Sequence, residues 1–172
     1  MRRDQLEHIV RAAAEVCGDT DIVVVGSQAI LGSHESPPQS MLASRDADVY
    51  PRNYPDRAEL IEGALGEESQ FDSTYGYYAH AVGPETAKGP SGWAERLVEL
   101  RTPGTGPATG WCMEPHDLVL SKCVAGRERD WAYASEALTH DVVDRGELLS
   151  RIPALPADAQ RQEAVRRHLE AL

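Results

Sequence analysis

Two aspartates one residue apart, Asp46 and Asp48, are the groups in this 172-residue chain best suited to hold a divalent cation. They lie in Arg45 to Tyr50, where Ala47 and Val49 alternate with Asp46, Asp48 and Tyr50. That alternation has the two-residue period of a strand and turns both carboxylates to one face. Mg²⁺ (or Mn²⁺) takes hard oxygen ligands of this kind together with substrate phosphates, so Asp46 and Asp48 are candidate metal ligands and catalytic groups. Upstream, Gly26-Ser27 closes the β-branched run Asp21-Ile-Val-Val-Val. Glycine at a strand end lets the backbone approach a phosphate, and a helix starting there offers free N–H groups, to which Ser27 adds a hydroxyl. Gly26 and Ser27 are therefore candidate nucleotide-binding residues. With two ions about 3.5–4 Å apart, such a site can activate a hydroxyl and steady a departing pyrophosphate.

The elements that must position these groups follow from periodicity. Leu6, Ile9, Val10, Ala13 and Val16 recur at helical spacing and predict a helix over 4–17, ended by Gly18. A strand over 21–25 leads into a short helix over 28–31, and the segment 32–40, with its glycine and two prolines, reads as a surface excursion. A helix fills 57–65. The segments 74–82 and 96–101 read as strands, with the turn-rich link 83–92 able to join them as a long hairpin, and 102–110 reads as a loop. Glu114-Pro-His-Asp opens a helix with Pro115 in its first turn, and helices over 130–140, 146–152 and 157–172 complete the chain. The expectation is one domain over 1–172, its front half (1–112) mixed α/β and its rear (113–172) helical.

From Ile22 to Tyr50 the order strand, Gly-Ser, short helix, strand with paired acids resembles the nucleotidyltransferase superfamily that includes DNA polymerase β. The resemblance implies an α/β (α+β) nucleotidyltransferase fold, a small mixed sheet flanked by helices. It also implies Mg²⁺-dependent transfer of a nucleoside monophosphate from an NTP to a hydroxyl on RNA, protein or a small molecule. The insert between Ser27 and Asp46 is longer than the superfamily usually shows, so the segment 32–40 must fold out of the way. The stretch Glu114-Pro-His-Asp-Leu-Val-Leu-Ser-Lys-Cys-Val-Ala-Gly-Arg-Glu-Arg-Asp130 is similar to the helical signature of AbiEii-type nucleotidyltransferases, toxins of abortive-infection and toxin–antitoxin systems. By that similarity Lys122 is a catalytic and triphosphate-binding residue, Arg127 a nucleotide-binding residue and Asp130 a catalytic residue orienting Lys122 or a nucleophile. An antitoxin protein becomes a possible partner. The plain alternative for Lys122 and Asp130 is an interhelical ion pair on the surface.

Active superfamily members usually carry a third carboxylate on a neighbouring strand. Glu99, in Arg-Leu-Val-Glu-Leu, has the local pattern for that metal ligand, but can equally pair with Arg96 or Arg101 across a strand face. His80 is open to two readings, a ligand or base and a satisfied sheet histidine. His116 reads as a cap-region residue, and Tyr54, Trp93, Trp111 and Trp131 as core or rim that could stack on a base. Loss of the third carboxylate would leave a rival reading, a nucleotide-binding or regulatory module without chemistry.

Composition bounds the rest. The net charge of −11 opposes nonspecific adhesion to nucleic acid, which needs clustered cations. Cys17, Cys112 and Cys123 lack paired spacing and predict buried free thiols. No apolar run reaches the ~20 residues of a membrane span, and the opening residues do not read as a signal peptide, so a cytoplasmic protein is expected. Neither a Walker loop, a Gly-x-Ser-x-Gly elbow nor a His-Glu-x-x-His motif is present.

Overall fold

A computed structural model describes residues 1–172. Five strands, β1 (Asp21–Val25), β2 (Asp46–Pro51), β3 (Tyr78–Ala81), β4 (Val98–Leu100) and β5 (Thr109–Cys112), form one mixed sheet in the order β3-β2-β1-β5-β4. β1 is central, antiparallel to β2 and parallel to β5; β2 and β3 are parallel, β4 and β5 antiparallel. A strand flanked on both edges must be apolar wherever both its faces are covered, which in β1 is every position after Asp21. Ile22, Val23, Val24 and Val25 are accordingly all buried.

One face of the sheet packs against α1 (Arg3–Cys17) and α2 (Ala58–Leu65). Leu6, Ile9, Val10 and Ala13 of α1 are wholly buried and share a cluster with Ile22, Val24, Ala47, Val49 and Ala79. The other face carries Val23, Val25 and Tyr50, joined by Val82 and covered by Ala87, Trp93, Leu97 and Trp111. Much of that cover, Ala87, Trp93 and Leu97, is chain between β3 and β4 rather than a long helix.

That connection corrects two expectations. β3 and β4 are not a hairpin: they sit at opposite edges of the sheet and, by the pairings above, run in the same direction. Part of the predicted loop 102–110 is instead strand, since Thr109–Cys112 pairs with β1 along one edge and β4 along the other. The strand expected from residue 74 begins later, because α3 (Gln70–Tyr75) is capped by Ser69 and stopped by Gly76 at φ 75°.

The rear is helical, with α4 (Pro115–Ala125), α5 (Glu128–Thr139), α6 (Arg145–Arg151) and α7 (Ala159–Ala171). Glu114 caps α4, its carboxylate accepting the N–H groups of His116 and Asp117. Beneath that cap Asp117 is fully buried between two guanidiniums, Arg96 Nε at 2.7 Å and Arg151 Nη1 at 2.8 Å. Arg151 also donates to Glu114 at 2.6 Å. His116 Nε2 accepts the Asp144 N–H at 2.9 Å, which leaves the ring proton on Nδ1, donated to Glu114 Oε1 at 2.6 Å. Burial alone would raise the Glu114 pKa, but hydrogen bonds from His116 and Arg151 and the Arg151 charge outweigh it and hold the carboxyl at about 2. One cluster of 36 buried residues runs through both halves of the chain. Cys17, Cys112 and Cys123 are buried free thiols, and no helix is long and apolar enough to cross a membrane.

Candidate nucleotide and metal site

β1 ends at Gly26, whose φ of 66° and ψ of −169° lie in a region only glycine occupies without strain. The following 3₁₀ turn, Ser27–Gly32, buries Gln28 to Gly32 and so fixes the bend from beneath. Val25 is the register partner of Asp48, and a Cβ on Gly26 would collide with Asp48 Oδ2. Glycine at this position thus sets how closely the bend and the acidic strand approach each other. Asp46 and Asp48 both face the cavity bordered by the bend, as strand periodicity requires.

The insert between Ser27 and Asp46 does more than fold aside. Its second half forms a 3₁₀ turn, Gln39–Leu42, seated by buried Met41 and by a 2.5 Å hydrogen bond from Ser40 Oγ to Glu136 of α5. It then returns along the cavity, where the Ser44 hydroxyl donates to Asp46 Oδ1.

On the far side of β2, His80 of β3 is the register partner of Asp48 and places Nδ1 2.8 Å from Asp48 Oδ1. One ligand atom from each of Asp46, Asp48 and His80 lies within 4.8 Å of the other two. Burial and the neighbouring Asp46 charge raise the Asp48 pKa, with His80 and Lys122 opposing. Burial would lower that of His80, but the hydrogen bond and charge of Asp48 reverse it and hold the imidazole more basic than usual.

The opposite wall is cationic. Lys122 of α4 donates to Ser27 Oγ at 2.9 Å, stands 4.6 Å from the centre of the Tyr133 ring and 3.8 Å from Asp130 Oδ1. Burial lowers its pKa, with Asp130 and Asp48 opposing that shift. Asp130 receives the Arg127 guanidinium at 2.7 Å and the Arg127 N–H at 3.1 Å, an arrangement that also caps α5. The Tyr133 hydroxyl donates to the Ser27 carbonyl at 3.0 Å. The Lys122–Asp130 pair is not the surface contact of the plain alternative, since the two side chains are only 14% and 1% exposed. Lys88 and Arg129 complete this side of a cavity of about 700 Å³. Its acidic wall suits a hard cation and its basic wall an anionic tail, within the size range of small-molecule sites.

Gly26, Ser27, Asp46, Asp48, Lys122 and Arg127 all line this one cavity, with Asp130 directly behind Lys122 and Arg127. Glu99 does not join them, which corrects its reading as a metal ligand. It lies on edge strand β4 opposite Trp111, with β5 and β1 between it and β2. Across three strand spacings, about 14 Å, a glutamate cannot share an ion with Asp48. His80 occupies the neighbouring-strand position instead.

Tyr54, Trp93, Trp111 and Trp131 also lie outside the cavity lining. Arg57 covers Tyr54, Arg52 covers Trp111, and Trp131 stacks on His168. The aromatic residue that does line the cavity, Tyr133, carries no local sequence signal, whereas Ser44 lies two residues before Asp46 and on its side of the alternation.

The bend, the paired acids and the sheet that presents them have the arrangement expected of the nucleotidyltransferases as a class. It belongs to a family described as "Nucleotidyltransferase of unknown function (DUF6036)", whose profile matches residues 4–168. Neither the curated proteins nor the solved structures contain a match to the chain.

Proposed function

We propose that this protein transfers a nucleoside monophosphate from an NTP to a hydroxyl acceptor, with Mg²⁺ or Mn²⁺ as cofactor. The observation that carries the reading is the apposition, across the Gly26-Ser27 bend, of two carboxylates and a partly buried lysine lining one cavity. The donor set fits a divalent cation: Asp46 and Asp48 offer hard oxygens from adjacent positions of one face, and Gly26 keeps the space beside Asp48 free of a Cβ. When bound, the cation supplies Lewis-acid stabilisation of phosphate oxygens and acidifies the attacking hydroxyl. The protein's own groups do the rest. Ser27 and the backbone beside Gly26 cradle the phosphates, while Lys122 and Arg127 bind the triphosphate tail and Asp130 holds both cations in place. In the reaction the acceptor hydroxyl gives up its proton to solvent and its oxygen bonds to the α-phosphorus as the bond to the α–β bridging oxygen breaks. Pyrophosphate leaves toward the cationic wall.

The net charge of −11 favours a small molecule or a protein over a long nucleic acid as acceptor. The similarity of 114–130 to AbiEii-type toxins extends the proposal to a toxin held by a separate antitoxin. Pyrophosphate release from each NTP, with Mg²⁺ or Mn²⁺ and a panel of acceptors, tests the chemistry. Asp46→Asn and Asp48→Asn should each lower the rate by more than the roughly 10–100-fold typical of outer-shell changes around a metal. Nucleotide binding with no pyrophosphate from any pairing would instead support the regulatory module, a rival favoured by the remoteness of Glu99. Growth arrest on expression, relieved by Asp48→Asn, is the outcome expected of a toxin.

A further inference from the structure

We infer that His80 supplies a nitrogen ligand to the cation held by Asp46 and Asp48, so that the site prefers a first-row transition ion to Mg²⁺. The inference deepens the proposed function and takes from it only that a divalent cation binds there.

Three observations carry it. First, His80 stands on the one strand that flanks β2 on its outer side, in register with Asp48, so its position is fixed by backbone pairing. Second, its Nδ1 is 2.8 Å from Asp48 Oδ1, and one ligand atom from each of Asp46, Asp48 and His80 lies within 4.8 Å of the other two. Donors on adjacent corners of an octahedron with bonds near 2.1 Å are about 3 Å apart, so this spacing suits a shared ion. Third, no other group claims the ring. Nε2 has no hydrogen-bond partner in the protein, and the nearby Glu62 carboxylate makes no hydrogen bond to the ring, accepting the Ala81 N–H at 2.7 Å through one oxygen. The ring is 53% exposed, so packing does not account for it either.

The remaining candidate for a third ligand, Glu99, is three strands away. The set is therefore two carboxylates and an imidazole. Mg²⁺ selects all-oxygen shells, whereas imidazole favours the transition ions, whose affinities for a given site rise from Mn²⁺ along the series. His80 thus places a discriminating atom where a third carboxylate would leave the choice to ion availability.

The test uses the full-length protein with Mn²⁺ as the probe. Electron spin echo envelope modulation should show a directly bound ¹⁴N in the wild type. That signal should change on ¹⁵N-labelling of histidine and vanish in His80→Asp. Mn²⁺ affinity, read from the free-ion resonance with Mg²⁺ as competitor, should show a preference for Mn²⁺ that falls by about tenfold or more in His80→Asp. His80 is exposed on an edge strand, so the variant should fold, and circular dichroism checks that it does. Absence of nitrogen coupling, an unchanged preference, or no Mn²⁺ binding by the wild type overturns the inference. Pyrophosphate release without nitrogen coupling would sink this inference alone. Nitrogen coupling without pyrophosphate from any NTP would sink the transferase reading and leave this one standing.

Discussion

Gly26 carries the sharpest steric constraint in the site, because its backbone is left-handed and Asp48 stands where its Cβ would be. Gly26→Ala should cost about 1–3 kcal/mol of stability through backbone strain, measured by urea unfolding. It should also weaken Mn²⁺ binding by displacing Asp48, as isothermal titration would show. At this scale Asp46, Asp48, Gly26 and Ser27 were legible because each is specified by a neighbour in sequence: alternation for the acids, a strand end for the bend. Tyr133 was not. Its hydroxyl reaches the Ser27 carbonyl across a separation of 106 residues, and nothing in the local pattern of α5 distinguishes it from a core aromatic. Glu99 misled for the complementary reason: its apolar-acid-apolar setting correctly marks a strand, but strand order, which decides its distance from Asp48, is not written in local pattern.

Elements marked by a side-chain pattern emerged from sequence, and β5, which is defined by backbone pairing alone, did not. α1 announces itself through Leu6, Ile9, Val10 and Ala13. β5, Thr-Gly-Trp-Cys, has no alternation to read and exists because β1 and β4 both offer it a ladder. Two substitutions probe how elements are held. Gly63 lies inside α2 with nothing within 4 Å of the point where an alanine methyl would stand, so Gly63→Ala should raise stability by about 0.5–1 kcal/mol in thermal or urea unfolding. Asp117→Ala should do the opposite, leaving the guanidiniums of Arg96 and Arg151 without their shared carboxylate. Breaking a buried pair costs about 3–5 kcal/mol, and the 35% exposure of Arg96 argues for the lower end. Hydrogen exchange should then quicken around Trp93, because Arg96 anchors that segment to α4.

Across the whole molecule, the division into a mixed front and a helical rear was legible, and the route of the chain between them was not. The junction between the halves makes an acid-sensitive joint. Glu114 in the folded state titrates at about 2 against an ordinary 4.5, so its contribution is fully present above pH 4.5 and disappears as pH falls toward 2. The shift corresponds to about 3 kcal/mol. Glu114→Gln should therefore be less stable than the wild type at pH 6, with the gap closing in urea unfolding series run toward pH 2.

The passage of the chain from β3 to β4 has a larger consequence. It must traverse the full width of the sheet, about 19 Å over four strand spacings, and regain the starting end, since the two edge strands run alike. On the way Thr86, Ala87 and Lys88 wall the cavity, and Ala87, Trp93 and Leu97 roof the smaller apolar cluster. Cavity wall and sheet cover are thus cut from the same strip of polypeptide, so a relative that shortened this strip to widen the cavity would have to find new shelter for Val23, Val25 and Tyr50.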